Sequence, residues 1–324
     1  MIITASRRTD LPAFFGQWFM QRISEGYFYS TNPFNPKQVR RVSLSSTDVE
    51  TIVFVSKNPQ PFLHHLDELD QRGYHYYFQF TLNDYPTPIE PGVPAVEDRL
   101  ETFKALSERI GPRRNIWRYD PIMLSSATPP SYHLERVERL ASELQGSTTR
   151  LVVSFFDLYR KAEPRLKAMA AKHGITAIDS LAEPSTCLEL AGGIRQIADR
   201  YGIEIVSCAE VIDLRQVGIK HGACIDAQLI KELSGVNCST AKDRSQRPEC
   251  GCAHAIDVGF YNTCRFGCVY CYANSSDRMI DRNLSLHSPD SPSMVGHPQV
   301  PDEESSEDNA PYSGQQLRLD EDIR

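Results

Sequence analysis

Short runs of β-branched and aromatic residues alternate with helical patterns over most of the 324-residue chain. The strand-like runs are Ile2–Ala5, Thr51–Ser56, Tyr76–Leu82, Asn115–Tyr119, Arg150–Phe155, Glu204–Cys208 and Ala255–Tyr261. The helical patterns are Pro12–Glu25, Pro61–Arg72, Val93–Ile110, Ser131–Leu144, Arg160–His173, Pro184–Tyr201 and Ala227–Leu233. Such alternation is typical of parallel sheets covered by helices, so it predicts an α/β fold. The number of units favours a TIM-like β/α barrel, complete or partial, over a doubly wound open sheet.

Polar or ionisable residues follow nearly every predicted strand. These segments are Ser6–Asp10, Ser56–Asn58, Asn83–Asp84, Arg118–Asp120, Asp157–Tyr159, Cys208 with Glu210, and a cysteine-rich loop after residue 261. Catalytic groups of barrel enzymes collect at the carboxyl ends of the strands, so the pattern predicts a shared pocket there. The candidate catalytic residues are Arg7, Asp10, Arg118 and Asp120. Arg7 and Arg8 could clamp a carboxylate or phosphate, because guanidinium groups bind such anions in a bidentate way. The alternative is structural: Arg7 or Arg8 pairs with Asp10, and Arg118 pairs with Asp120.

Three cysteines lie close together at Cys264, Cys268 and Cys271, with the spacing C-x3-C-x2-C. Three thiolates on one loop can ligate three irons of a [4Fe-4S] cluster and leave the fourth iron open to a substrate or cosubstrate. Structural zinc is the alternative, but it takes four ligands, usually from paired knuckles. The spacing therefore favours an iron-sulfur cluster with an open coordination position.

A second set of cysteines comprises Cys208, Cys224, Cys250 and Cys252. The chain has nine cysteines, an odd number, and its start lacks the pattern of a signal peptide, so disulfides are not expected. Cys208 ends a predicted strand, and Gly251 lets its two neighbours turn toward one centre. The set is predicted to form a four-thiolate site. This site would hold an auxiliary [4Fe-4S] cluster or zinc, and unligated thiols are the third alternative.

The cysteine loop with Tyr270 before its third cysteine resembles the signature of radical S-adenosylmethionine (SAM) enzymes. The resemblance implies that Cys264, Cys268 and Cys271 bind the cluster and that its open iron chelates SAM. It also implies that Tyr270 borders the adenine, with Gly267 relaxing the loop. Reductive cleavage of SAM would then give a 5′-deoxyadenosyl radical that acts on an unidentified substrate. The implied partners are an electron donor such as flavodoxin or ferredoxin, and a small molecule, peptide or nucleic acid as substrate.

The cysteine loop follows the last predicted strand, whereas in radical SAM enzymes it normally follows the first. A closed or nearly closed barrel brings its first and last strands together, so a permuted order is physically reasonable. This arrangement predicts that Arg7, Arg8 and Asp10 lie beside the cysteine loop, despite their distance along the chain.

Several longer segments are similar to a bacterial family known as domain of unknown function 1848. They are Ala5–Pro12, Trp117–Pro121, Cys208–Glu210, His221–Asp226, and Cys250–Cys252 together with the stretch through Asn274. The similarity covers roughly residues 1–275 and implies an iron-sulfur cluster, but it supplies no established reaction.

One barrel-like domain is predicted at residues 1–275, including a cluster-binding loop at 238–274, and composition predicts a disordered acidic tail at 276–324. From His287 to Arg324 the chain has nine acidic and two basic residues, which accounts for the net charge of −7. The neutral remainder gives no positive support for a nucleic-acid substrate. No apolar run approaches the roughly 20 residues that span a bilayer, so a cytoplasmic protein without a membrane partner is expected. The alternative function is a non-catalytic ligand-binding protein stabilised by zinc or a cluster.

Overall fold

The computed structural model describes residues 1–32 and 35–298. The strands are β1 (Ile2–Ala5), β2 (Tyr27–Asn32), β3 (Asn35–Ser43), β4 (Thr51–Ser56), β5 (Tyr76–Thr81), β6 (Asn115–Ile122), β7 (Arg150–Phe155), β8 (Glu204–Ser207), β9 (Lys220–His221) and β10 (Ile256–Asp257). The α-helices are α1 (Leu11–Phe14), α2 (Gly16–Glu25), α3 (Leu66–Gln71), α4 (Val96–Ile110), α5 (Pro130–Glu143), α6 (Glu163–His173), α7 (Pro184–Arg200), α8 (Ala227–Ser234) and α9 (Asp277–Ser285). Short 3-10 helices lie at Gln60–His65, Ser180–Ala182 and Leu214–Val217.

Eight of these strands form one parallel sheet in the order β10-β1-β4-β5-β6-β7-β8-β9. Helices connect most neighbouring strands, as parallel pairing requires. The predicted α/β class is therefore confirmed. The strands β2 and β3 form a separate antiparallel hairpin that the helix-and-strand alternation did not predict.

The sheet is open within residues 1–32 and 35–298, because no pairing there joins its edge strands β9 and β10. The closed form of the predicted barrel is thus not confirmed. The last strand is also shorter than the predicted Ala255–Tyr261. Its carboxylate Asp257 accepts a hydrogen bond from the backbone N–H of Gly259 at 2.8 Å, which turns the chain away from the sheet after two residues.

Both faces of the sheet are buried, which explains the continuous apolar runs of the central strands. One face packs against the connecting helices, and the members of its cluster include Ile52, Phe54, Phe78, Trp117 and Leu151. The other face contributes Ile2, Val53, Tyr77, Ile116, Val152 and Val206. This second face packs against Ile225, Leu229 and Ile230 at the start of α8 and within it. The segment that carries the second cysteine set is therefore part of the core.

Two predicted helices are divided. The pattern Pro12–Glu25 forms α1 and α2, which are separated at Phe15 where φ is −131°. The pattern Pro61–Arg72 begins as a 3-10 helix before α3. The helix α1 starts where the side chain of Asp10 accepts a hydrogen bond from the N–H of Ala13 at 3.1 Å.

The segment predicted to be a disordered tail begins with ordered structure instead. The helix α9 has Ser276 as its N-cap, and the chain after it returns to the N-terminal helices. There the indole N–H of Trp18 donates to the carbonyl of Ser291 at 2.8 Å, and the N–H of Tyr29 donates to that of Pro292 at 2.7 Å. The rest of the predicted tail, residues 299–324, lies outside the described residues.

A buried histidine on α5 gives a testable pH dependence. His133 is fully buried, and this burial lowers its pKa to about 4. One ring nitrogen contacts the hydroxyl of Tyr119 at 2.9 Å and the other donates to the carbonyl of Met123 at 3.2 Å, as a neutral ring can. The unfolded chain therefore binds an extra proton between about pH 6.5 and 4, so stability falls as the pH drops through that window.

We expect the free energy of unfolding to fall by up to about 1.4 kcal/mol per pH unit through this residue, or roughly 3 kcal/mol in all. Urea unfolding of the wild type and of His133→Gln between pH 7 and 4.5 measures the difference. The variant should be less stable at pH 7 but lose less stability on acidification. Parallel pH profiles for the two proteins would contradict the assignment.

Within the described residues, the protein has no helix that combines the length and the apolar character needed to cross a membrane.

Candidate functional site

A cavity of about 290 Å³ lies at the carboxyl ends of the strands. Its walls include residues that follow β1, β4, β7 and β8, residues within β6, and the cysteine loop after β10. The candidate residues that line it are Arg7, Asp10, Arg118, Asp120, Tyr270 and the seven cysteines 208, 224, 250, 252, 264, 268 and 271. The sequence therefore identified the location of a shared pocket and many of the residues that line it.

The cysteine loop, residues 264–271, is fixed to the body of the protein through its backbone. The N–H of Val269 donates to the carbonyl of Ile89 at 3.1 Å, and the N–H of Gly92 donates to that of Phe266 at 2.9 Å. From the other side, the guanidinium of Arg165 donates to the carbonyls of Cys271 and Asn274. These contacts hold the loop in one conformation without using the cysteine side chains.

Gly92 allows this close approach. A Cβ atom at position 92 would lie 2.9 Å from the carbonyl oxygens of both Arg265 and Phe266, closer than packing permits. We expect Gly92→Ala to lower the free energy of unfolding by about 1–3 kcal/mol, because the loop must shift. The matched control is Gly192→Ala in α7, where the nearest atom would be at 3.6 Å.

An alanine at position 192 should raise stability by about 0.5–1 kcal/mol, because glycine is unfavourable inside a helix. Urea denaturation of both variants measures the contrast. Equal effects of the two substitutions would show that the approach of the loop at Gly92 is not tight.

The N-terminal loop after β1 lies beside the cysteine loop, as the permuted order predicts. The hydroxyl of Tyr272 donates to the carbonyl of Arg7 at 2.7 Å, and Arg8 reaches the carbonyl of Gly259 at 3.5 Å. The carboxylate of Asp257 accepts from the hydroxyl of Ser6 at 2.6 Å and from the N–H of Arg7 at 2.8 Å. The parallel pairing of β1 with β10 brings these segments together.

The three thiols of the cysteine loop line the same cavity, with Cys268 buried and the other two partly exposed. Burial raises the pKa of Cys264 to about 12, and the nearby thiol of Cys271 adds to the effect. Burial also raises the pKa of Cys268 well above its usual value, although the ammonium of Lys57 opposes that rise. Without a bound cation, the thiols of Cys264 and Cys268 stay protonated at neutral pH. A metal centre supplies the positive charge that makes such thiols ionise.

Within the described residues, no group of three or more His, Cys, Asp or Glu side chains is arranged to hold a metal ion. A [4Fe-4S] cluster would need only one thiolate of the loop for each of three irons. The backbone N–H groups of Asp10 and Phe266 hydrogen-bond to the sulfur of Cys264. Such N–H donors to sulfur are among the groups that tune cluster potentials.

A lysine–glutamate–tyrosine group lies behind the loop. The ammonium of Lys57 is 2.8 Å from Oε1 of Glu90, and the hydroxyl of Tyr270 donates to the same oxygen. All three side chains are largely buried, so this hydrogen bond fixes the ring of Tyr270 at the cavity wall. The sequence marked Lys57 only as a polar strand end. Nothing in the sequence marked Glu90, which lies in a loop.

Asp10 is a positioning residue rather than a free carboxylate. Its oxygens accept hydrogen bonds from the hydroxyl of Ser56 at 2.7 Å, the N–H of Lys57 at 2.6 Å and the N–H of Ala13. Burial raises the pKa of Asp10 to about 6. With both oxygens occupied, Asp10 joins the ends of β1 and β4 and caps α1. The catalytic role predicted for it finds no support in this geometry.

Arg118 and Asp120 form an ion pair on the cavity wall. Nη2 of Arg118 lies 2.5 Å from Oδ2 of Asp120, and the hydroxyl of Ser154 donates to the other oxygen. The structural alternative for this pair is thus realised. Arg118 also has a second contact that the sequence did not indicate, because its Nη1 lies 2.5 Å from the sulfur of Cys224.

Gly267 has φ of +66° and is absent from the cavity wall, so it contributes backbone conformation only.

The second cysteine set also forms a compact group. The sulfurs of Cys208 and Cys224 are 2.7 Å apart, and the thiol of Cys252 contacts those of Cys208, Cys224 and Cys250. Two thiolates on a tetrahedral zinc would be about 3.8 Å apart. The four sulfurs are therefore too close together to share a metal ion in this arrangement, and they would have to separate to bind one.

A family model described as a domain of unknown function (DUF1848) matches residues 2–273. Neither a curated protein nor a solved structure matches the chain significantly. The family match spans the whole sheet and both cysteine sets, and it ends beside the ordered start of α9. The chain therefore belongs to the DUF1848 family.

Proposed function

We propose that the protein is an iron-sulfur enzyme of the radical SAM type. The observation that carries this proposal is the three-thiol loop itself, whose Cys264, Cys268 and Cys271 open into a cavity at the carboxyl ends of a parallel sheet. The spacing of these thiols leaves one iron of a [4Fe-4S] cluster without a protein ligand. We also propose that the open parallel sheet is a permuted, partial β/α barrel.

When bound, the cluster would supply the electron that cleaves SAM reductively. The protein's residues would bind and orient SAM and the substrate, and they would exclude water from the cavity. The ammonium of Lys57 offsets negative charge near Cys268. Glu90 holds the hydroxyl of Tyr270, which keeps the aromatic ring at the cavity wall, and the resemblance implies that this ring borders the adenine. Arg165 holds the loop's carbonyls from outside, so the sulfurs stay directed inward.

Two hydroxyl groups beside the cavity are unpaired. Thr4 and Thr9 line the cavity, and their buried hydroxyls have no hydrogen-bond partner among the described residues. Buried hydroxyls are normally paired, so these two are exceptions. The substrate class stays open among small molecules, peptides and nucleic acids. The nine cysteines are all unpaired in the structure, as expected in a reducing cytoplasm. The proposed cluster would receive its electron from a one-electron donor such as flavodoxin or ferredoxin.

Binding of SAM to the cluster is the direct test. After anaerobic reconstitution and reduction, the electron paramagnetic resonance spectrum of the wild type should change when SAM is added. The same addition to Cys268→Ala should leave the spectrum unchanged. A spectrum that SAM does not alter in the wild type would contradict coordination of SAM at the open iron.

A further inference from the structure

Four thiols from three separate chain segments meet on one wall of the same cavity. Cys208 follows β8, Cys224 lies between β9 and α8, and Cys250 and Cys252 precede β10. The sulfurs of Cys208 and Cys224 are 2.7 Å apart. The sulfurs of a disulfide are about 2.05 Å apart, so this pair needs little movement to form a bond.

The central sheet fixes the positions of Cys208 and Cys224 through their backbones. The N–H of Cys208 donates to the carbonyl of Val153 on β7 at 3.0 Å. The carbonyl of Cys224 accepts hydrogen bonds from two side chains of β5, the hydroxyl of Tyr77 at 2.6 Å and the amide of Gln79 at 2.9 Å. These contacts do not use the sulfurs, so the two thiols are held side by side and stay available for chemistry.

Gly222 allows the segment that carries Cys224 to reach the end of β8. Its N–H donates to the carbonyl of Ser207 at 2.8 Å. A Cβ atom at position 222 would lie 2.8 Å from the side chain of Val206, closer than packing permits. Glycine therefore permits an approach that a larger residue would prevent, and this approach places Cys224 against Cys208.

Cys224 is the thiol of this group that a small molecule can reach. It is partly exposed at the cavity, whereas the other three thiols are buried. Nη1 of Arg118 lies 2.5 Å from its sulfur. A fixed positive charge beside a sulfur favours the thiolate, which is the form that attacks a disulfide. An accessible thiol with a buried thiol next to it is typical of a nucleophilic cysteine and its resolving partner.

We propose that Cys224 and Cys208 form a thiol–disulfide exchange site that reduces small disulfides entering the cavity. The thiolate of Cys224 attacks one sulfur of the disulfide, forms a mixed disulfide and displaces the other half as a thiolate. The thiol of Cys208 then loses its proton and attacks the sulfur of Cys224, which forms the Cys208–Cys224 bond and displaces the second half.

The exchange is balanced in electrons and protons. The small disulfide gains two electrons and leaves as two thiols, which take up the two protons lost by the protein pair. The protein pair is oxidised to one disulfide, and a dithiol reductant returns it to two thiols by the same chemistry. In a reducing compartment the protein disulfide is therefore transient. The proposal does not depend on SAM chemistry at the cysteine loop.

Peptide mapping of the oxidised protein tests the pair. The full-length protein as isolated is freed of reductant and incubated with bis(2-hydroxyethyl) disulfide, after which the remaining thiols are alkylated. Trypsin then releases Cys208 within residues 201–215 and Cys224 within residues 221–231, each as the single cysteine of its peptide. We expect a disulfide between these two peptides that dithiothreitol reverses. A link from Cys224 to Cys252 instead, or bound zinc or iron that keeps both thiols unreactive, would overturn the proposal.

Serine variants test the order of the two steps. In Cys208→Ser the second step lacks its thiol, so the mixed disulfide should persist on Cys224. In Cys224→Ser the buried Cys208 should stay a free thiol, and the control Cys187→Ser in α7 should still form the bond. A mixed disulfide on Cys208 in Cys224→Ser, or none on Cys224 in Cys208→Ser, would overturn the assignment. Circular dichroism identifies any variant that fails to fold, and the wild-type peptide map then decides alone.

Arg118 is a positioning residue in this scheme, and the rate of the first step measures its role. In the Cys208→Ser background, Arg118→Gln should slow formation of the mixed disulfide about three- to tenfold, because the sulfur loses its cationic neighbour. Arg118→Lys keeps the charge and should restore part of the rate. The control Arg150→Gln alters an arginine that pairs with Glu204 and Asp226 away from the cavity wall. An unchanged rate in Arg118→Gln would overturn this role.

Discussion

Replacing Cys268 with alanine is expected to remove most of the iron from the three-cysteine loop while the protein stays folded. Cys268 is 6 % exposed and faces the cavity. Its loss leaves two protein ligands for a cluster that needs three, so we expect a decrease in cluster retention beyond the roughly 10–100-fold typical of changes to outer-shell groups. The loop itself is held by backbone contacts at Ile89 and Gly92, which the substitution leaves intact. Iron and sulfide analysis after anaerobic reconstitution, together with the visible absorbance spectrum, measures the result.

Cys187→Ala is the matched control for this experiment. Cys187 is also buried, but its thiol donates to the carbonyl of Ser180 and lies away from the cavity wall. Removing it should leave the iron content unchanged and cost only the stability of a small cavity, on the order of 1 kcal/mol. Equal iron in Cys268→Ala and the wild type would exclude the loop as a ligand set. A loss of iron in Cys187→Ala would show that the effect is a general loss of folding.

Replacing Asp257 with alanine should cause the largest loss of stability among single changes near the site. Its carboxylate accepts hydrogen bonds from the hydroxyl of Ser6 and from the N–H groups of Arg7 and Gly259, all within 2.8 Å. It also pairs with the guanidinium of Arg7 at 3.6 Å. Removing this carboxylate leaves three donors without an acceptor and leaves Asp243, at 3.5 Å, as the remaining partner of Arg7, so we expect a decrease of about 3–5 kcal/mol in the free energy of unfolding.

The control for Asp257 is an exposed carboxylate in a salt bridge. Asp67 pairs with Arg109 at 2.5 Å, but its side chain is 76 % exposed. Asp67→Ala should therefore lower stability by no more than about 1 kcal/mol. Urea denaturation of the metal-free proteins measures both without interference from cluster loss. Equal destabilisation by the two substitutions would mean that Asp257 does not hold the N-terminal loop against the end of β10.

Local periodicity was sufficient to predict seven of the eight strands of the parallel sheet. The central strands are buried on both faces, so each appears in the sequence as a short apolar run with polar residues after it. Because parallel strands present their carboxyl ends at one edge, Arg7, Arg118 and Cys208 could be assigned to one pocket before any contact was known. The pairing of Arg118 with Asp120 was also accessible, since residues two apart in a strand point to the same face.

Long-range partners could not be predicted in this way. Glu90 meets Lys57 and Tyr270 only because two loops from different ends of the chain pack together. Asp10 looked like a catalytic carboxylate, yet its oxygens are occupied by Ser56 and the backbone. A long-range contact also explains why the start of the tail was wrongly predicted to be disordered. The composition of the tail is polar, but Trp18 donates a hydrogen bond to the carbonyl of Ser291, and no local sequence pattern reveals that contact.

Radical SAM chemistry is tested by incubating the reconstituted protein with SAM and a strong one-electron reductant under anaerobic conditions. We expect the wild type to form methionine and 5′-deoxyadenosine, and Cys268→Ala to form neither above the background without protein. A wild type that contains zinc in place of iron and releases no 5′-deoxyadenosine would rule out a radical SAM enzyme. Such a protein would instead be a metal-stabilised ligand-binding protein.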